Sequence, residues 1–211
     1  MNAFFLTLLT LLGTLSLSAA PARTVVFFGD SITAGYGLDD PETEAYPALI
    51  QGKIDTALLN WRVVNAGLSG ETSAGGLRRV DWILKQPIDV FVLALGGNDG
   101  LRGTDPAVME ANLQGIIDKV RQKDPRIRIV IAGMRMPTSM GDSYTTPFAA
   151  VYPDLAEKNH LTLVPFLLDK VGGHPELNQG DQIHPTAEGA KLVAAGVWQV
   201  LEPVLREESA R

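Results

Sequence analysis

The feature that most constrains this chain is the grouping of its apolar residues. They fall into five short runs, bounded by glycine, proline or polar residues and separated by segments of helical periodicity. Val25-Val26-Phe27-Phe28 ends at Gly29, Val63-Val64-Asn65 is shorter, and Val90-Phe91-Val92-Leu93-Ala94-Leu95 stops at Gly96-Gly97. Two more lie at 127–132 and 161–164. Continuous runs rich in Val, Ile and Phe are the pattern of strands buried on both faces. Between them, Asp105 is a plausible N-cap and Pro106 suits a first helical position. Leu113, Ile116, Ile117 and Val120 then repeat at helical spacing. Thr186 can cap a last helix with Val193, Val197, Leu201 and Val204 on one face, and weaker helices are expected over 46–59, 77–84 and 148–158. Strand alternating with helix predicts an α/β fold with a parallel sheet covered on both sides, in one domain spanning 23–211.

Residues 1–22 read differently. They contain no Asp, Glu, Lys or Arg, and positions 4–17 are dominated by Phe and Leu. Ala20-Pro21-Ala22 has the small-x-small form of a signal-peptidase site. The segment is expected to be a signal peptide, giving an exported protein, periplasmic or secreted, whose mature chain starts near Arg23. Its start lacks the usual Lys or Arg, so a retained anchor or an N-terminal helix of the fold are the alternatives. No second apolar stretch approaches the ~20 residues of a membrane span, so no stable membrane insertion is expected after processing.

Composition excludes several function classes. A net charge of -6 without a Lys/Arg-rich run argues against nucleic acid as a partner. The absence of cysteine removes disulfides, thiol nucleophiles and cysteine metal sites. No His-Glu-x-x-His occurs and the 3 histidines are dispersed, so no metal is expected. Neither a Gly-x-x-x-x-Gly-Lys phosphate loop nor a Gly-x-Gly-x-x-Gly after a strand is present.

In an open parallel sheet, sites form where strands end at their carboxyl edge. Polar, glycine-rich clusters stand at three such points: Gly29-Asp30-Ser31, Asn65-Ala66-Gly67-Leu68-Ser69-Gly70 and Gly96-Gly97-Asn98-Asp99-Gly100. A fourth, Asp181-Gln182-Ile183-His184, precedes the last helix. The chemistry they suit is acyl transfer. A serine hydroxyl needs a neighbouring base, and the base needs an orienting carboxylate. Of His160, His174 and His184, only His184 has an Asp three residues earlier and stands before a helix-start signal. Ser31 lies between a strand and a helix, where free N–H groups favour a developing anion. The amide of Asn98 and the N–H groups of Gly70 and Ser31 are candidate oxyanion donors. Taken singly, each cluster also reads as a turn or a helix cap. The lipase elbow Gly-x-Ser-x-Gly fails at Ser31, because Thr33 occupies its last position.

Together the four clusters resemble the four blocks of the SGNH, or GDSL, hydrolases. The family's named residues match Ser31, Gly70, Asn98 and His184. The segments 29–37, 64–76 and 93–103, Met134-Arg135-Met136-Pro137, Tyr152-Pro153-Asp154-Leu155 and Pro165-Phe166-Leu167 resemble its exported bacterial branch of arylesterases, acyl-CoA thioesterases and lysophospholipases. Two departures stand out: Ile32 replaces the usual Leu, and Gln182 replaces a Gly often found in the last block. The resemblance implies a flavodoxin-like three-layer α/β/α sandwich with a five-stranded parallel sheet. It also implies a serine hydrolase of small to medium acyl esters and thioesters that needs no cofactor. Its nucleophile would be Ser31, with His184 as base and Asp181 as orienter. Leu68, Met136, Pro137 and Phe166 would lie near the acyl group.

The rivals are a carbohydrate deacetylase, which wants an open aromatic-lined cleft, a non-catalytic lipid or glycan module, and a flavin carrier. Aromatic residues make up only 7% of the chain, Ser31, Asp181 and His184 are all present, and the first strand lacks a Ser/Thr-rich phosphate loop.

Overall fold

The structure, a computed structural model, describes residues 21–211. The expected signal peptide falls almost wholly outside the described residues. Pro21 and Ala22 lead straight into β1 (Arg23–Gly29). The other strands are β2 (Trp61–Gly67), β3 (Val90–Ala94), β4 (Arg128–Ala132) and β5 (Thr162–Val164). All pair in parallel, in the order β2-β1-β3-β4-β5. This is the flavodoxin-type arrangement, with its reversal of direction between β1 and β3.

Helices α1 (Ser31–Ala34), α2 (Pro41–Glu44) and α3 (Tyr46–Thr56) follow β1. They are succeeded by α4 (Ser73–Ile83), α5 (Gly97–Leu101), α6 (Pro106–Lys123), α7 (Asp142–Asn159) and α8 (Ala187–Ser209). Helix α3 packs against α8, and α6 lies between α4 and α7, which gives one helical layer on each face of the sheet. Consecutive side chains of β1 point to opposite layers. Phe27 meets Tyr46 of α3 edge-on at 5.5 Å, whereas Phe28 lies 5.4 Å from Phe91. Gly76 of α4 lets that helix approach Phe28, Leu95 and Ile116.

The predicted caps at Asp105 and Thr186 form as side-chain hydrogen bonds to Ala107 and Gly189. Helix α3 stops at Thr56, short of the expected 59, and three further boundaries differ from expectation. Strand β2 is more than twice as long as its apolar run, because as an edge strand it exposes Arg62 and Asn65. Helix α4 starts at Ser73, where the Thr72 side chain accepts from Gly75 N–H and offsets two glycines of low helix propensity. Helix α7 runs through Pro147, so it begins at Asp142 and not beyond that proline. Two one-turn helices, α2 and α5, replace what reads as loop.

Candidate active site

The register brings three loops out at one level. Gly29 of β1 pairs with Gly67 of β2 on one side and with Ala94 of β3 on the other. The residues that follow converge over the switch point. Asp30 caps α1, its carboxylate accepting from Ile32 N–H at 3.0 Å, so Ser31 becomes the first residue of that helix. The loop before α8 brings in His184. The Ser31 hydroxyl donates to His184 Nε2 at 2.8 Å, across 153 positions of sequence. His184 Nδ1–H donates to Asp181 Oδ2 at 2.6 Å. These partners set the tautomer, leaving Nε2 as the acceptor. The other oxygen of Asp181 accepts from the N–H groups of Ile183 and His184 at 2.9 and 3.0 Å, closing the segment into one tight turn.

Electrostatics follow from burial and these bonds. Burial raises the Asp181 carboxyl, but the hydrogen bonds from the His184 side chain and from the two backbone N–H groups outweigh it and hold it at about 2. Burial is the dominant influence at Asp30, which is 2% exposed. It lifts that carboxyl to about 6 against the Ile32 N–H and the nearby His184.

The three expected oxyanion donors, Ser31, Gly70 and Asn98, line one depression. Asn98 lies in the first turn of α5, and its amide donates to Glu71 C=O at 3.0 Å. That bond ties the third loop to the second. Gly70 has φ +79°, and a Cβ there would meet nothing nearer than Arg102 at 3.9 Å. Glycine is therefore required within the protein by backbone conformation and not by crowding. Behind the donors, Asp99 is buried and accepts from Ser73 Oγ and N–H at 2.6 and 2.7 Å. Arg79 forms a bidentate ion pair with Glu71, donates to Ala66 C=O at 2.8 Å and stacks on Phe28.

Above Ser31 is an open depression of about 290 Å³ whose walls include Tyr36, Gly70, Asn98, Leu101, Ile183 and His184. Leu68 is exposed beside it, next to Ser69 in its wall. Met136, Pro137 and Phe166 do not line it. Met136 packs against Gly100 of α5, Pro137 is exposed, and Phe166 lies beneath the Arg135 guanidinium at 5.1 Å. Sequence reasoning missed Tyr36, whose ring stands 4.7 Å from the His184 ring, and the supports Ser73, Glu71 and Arg79. Membership of the quoted blocks hinted at Tyr36, Glu71 and Ser73, and nothing in the sequence hinted at Arg79. Among the described residues no three His, Asp or Glu side chains converge as a metal would need.

A doubly wound α/β protein with a serine, a histidine and an aspartate in hydrogen-bonded sequence at its switch point has the architecture of a serine hydrolase. Similarity to known proteins narrows this. The GDSL-like lipase/acylhydrolase family profile matches residues 27–192. Esterase TesA of Pseudomonas aeruginosa is 38% identical over 187 residues, 88% of this chain and 91% of that protein. Thioesterase 1/protease 1/lysophospholipase L1 of Escherichia coli K12 is 36% identical over 196 residues, 92% of this chain and 91% of that protein. A crystal structure of TesA superposes with a TM-score of 0.81 at 37% identity, covering 86% of this chain and 99% of that one. The chain belongs to the GDSL, or SGNH, family of hydrolases.

Proposed function

We propose that this protein is a serine esterase and thioesterase that works through an acyl-enzyme on Ser31. The reaction is hydrolysis of carboxylic ester and thioester bonds. The observation that carries the residue assignment is the chain of two short hydrogen bonds from Ser31 through His184 to Asp181. As Ser31 Oγ attacks the acyl carbon, its proton passes to His184 Nε2, and Asp181 stabilises the imidazolium that forms. The negative oxygen is held by the N–H groups of Ser31 and Gly70 and by the Asn98 amide. His184 then protonates the departing alcohol or thiol, and water repeats the cycle to free the acid. All protons are accounted for by the side chains, so the residues themselves require no cofactor.

The acyl group lies against Leu101, Ile183 and Tyr36, with Leu68 at the rim. Met136 backs that wall through Gly100, while Pro137 and Phe166 are assigned no contact with it. Each buried methylene contributes roughly 0.8 kcal/mol, so a few of them raise kcat/KM by one or two orders of magnitude before the depression ends. Tyr36 is the one aromatic hydrocarbon ring in the wall, and Trp61, Trp82 and Trp198 lie elsewhere, which disfavours the sugar deacetylase. Residues 1–22 serve as a signal peptide in this reading, and the protein acts outside the cytoplasm. Among the described residues no helix is long and apolar enough to cross a membrane.

The test is covalent. A fluorophosphonate should label Ser31, and Ser31→Ala should lose both labelling and turnover of p-nitrophenyl esters and acyl-CoAs from acetyl to palmitoyl. Labelling at Ser69 or Ser143 in place of Ser31 would overturn the assignment. Activity confined to acetylated sugars would move the protein to the deacetylase class.

A further inference from the structure

Between the nucleophile and the base there is one residue that holds the main chain of both without touching either side chain. Gln179 lies five positions before His184 and is half-buried. Its backbone N–H donates to His184 C=O at 2.8 Å. Its side-chain Nε2 donates to Pro185 C=O at 3.0 Å and to Tyr36 C=O at 2.7 Å. Two carbonyl acceptors on one nitrogen leave no doubt which end of the amide is the NH₂. Tyr36 in turn donates its N–H to Ser31 C=O at 3.0 Å and presents its ring to the imidazole. A continuous path of four hydrogen bonds therefore runs from the backbone of Ser31 to that of His184 and Pro185.

The chain makes room for this amide. A Cβ on Gly37 would lie 2.1 Å from Gln179 Oε1, and Gly37 adopts φ +74°. Gln179 is itself anchored. Neighbouring Asn178 is buried and donates to Val171 and His174 carbonyls at 2.7 and 2.9 Å. Asn178 also bridges Pro185 in an antiparallel pair. The base segment is thus clamped on a fixed support, and the nucleophile loop is clamped to it.

We infer that Gln179 is a positioning residue that sets the Ser31–His184 distance by clasping the two loops, with Gly37 as the socket for its amide. This rests on Ser31 and His184 being nucleophile and base. Proton transfer between them depends steeply on their separation, and misplacement by ~1 Å costs about 10²-fold. Tyr36 also lines the depression, but the clasp holds its carbonyl and not its ring, so the larger loss should appear in kcat and the smaller in KM.

The experiment compares Gln179→Met, which fills the space without donors, Gln179→Glu, which faces two carbonyl oxygens with a carboxylate, Gly37→Ala, and the Gly37→Ala/Gln179→Met double variant. kcat and KM on p-nitrophenyl butyrate, the rate of fluorophosphonate labelling and the thermal midpoint are read for each. Each single variant should lose roughly 10- to 100-fold in kcat and in labelling rate, with KM changed by less than about threefold. In the double variant Gly37→Ala should cost little further kcat, since the amide it displaces is already gone. A folded Gln179→Met protein with wild-type kcat and only a lower thermal midpoint would assign Gln179 a structural role and overturn the clasp. Additive kcat losses in the double variant would do the same. A wild-type protein left unlabelled at Ser31 would instead sink the nucleophile assignment, and the clasp with it.

Discussion

At the scale of single residues, Asp30 is the costly one. It caps α1 and sits beside the proposed nucleophile, and burial outweighs the nearby His184 charge and raises its carboxyl to about 6 against an ordinary value of 3.8. The folded state therefore keeps a proton that the unfolded chain has released between those two values. Its contribution to stability is best below about pH 4, falls as pH rises to about 6, and stays low above that. Asparagine can still accept from Ile32 N–H. Asp30→Asn should accordingly raise stability by ~1–3 kcal/mol near pH 8, with the gain fading towards pH 4, as read from urea midpoints at the two pH values. Turnover should fall in the same variant, because the negative charge beside His184 favours the imidazolium. An equal gain at both pH values would contradict the assignment. The meeting of Ser31, Asp181 and His184 was legible in the sequence, since strand-end placement and an i−3 carboxylate are local signals. Gln179, Tyr36 and Ser73 were not. Each acts through contacts to segments distant in sequence, and no spacing rule reports these.

Elements were legible to the degree that they are buried. Strands β1 and β3 are covered on both faces and read as continuous apolar runs, whereas edge strand β2 betrays only its Val63-Val64 centre. Helix α7 hid its first turn behind Pro147, and α5 disguised itself as a glycine turn. The end of α3 offers a test of local backbone chemistry. Leu58 takes φ 54°, just beyond the helix, and is 91% exposed. It bears the cost of a left-handed conformation and buries nothing in return. Leu58→Gly should stabilise the protein by ~0.5–1 kcal/mol, seen as a higher urea midpoint with an unchanged slope. A lower midpoint would mean that the Leu58 side chain makes stabilising contacts.

For the whole molecule, the decisive quantity is the spacing of the layers. Gly76 sits where α4 crosses the sheet, and a Cβ there would come within 2.4 Å of Leu95 and 3.1 Å of Phe28. Alanine is the better helix former by ~1 kcal/mol, yet forcing a methyl into a filled core costs typically ~1–3 kcal/mol. Gly76→Ala should lower stability on balance by about 1 kcal/mol and shift the thermal midpoint down by a few degrees, measured by calorimetry. Helix propensity wins only if the midpoint rises. The alternation of strand and helix announced the parallel sheet, but the strand order came only with the structure, because pairing is settled by three-dimensional packing. The order also has a temporal consequence. Ser31 leaves the first strand, while Asp181 and His184 arrive just before the last helix. A ribosome has therefore made more than four-fifths of the polypeptide before the proposed base exists for Ser31. Until then the growing chain carries the proposed nucleophile alone, and a product broken off early should be inert towards esters and thioesters.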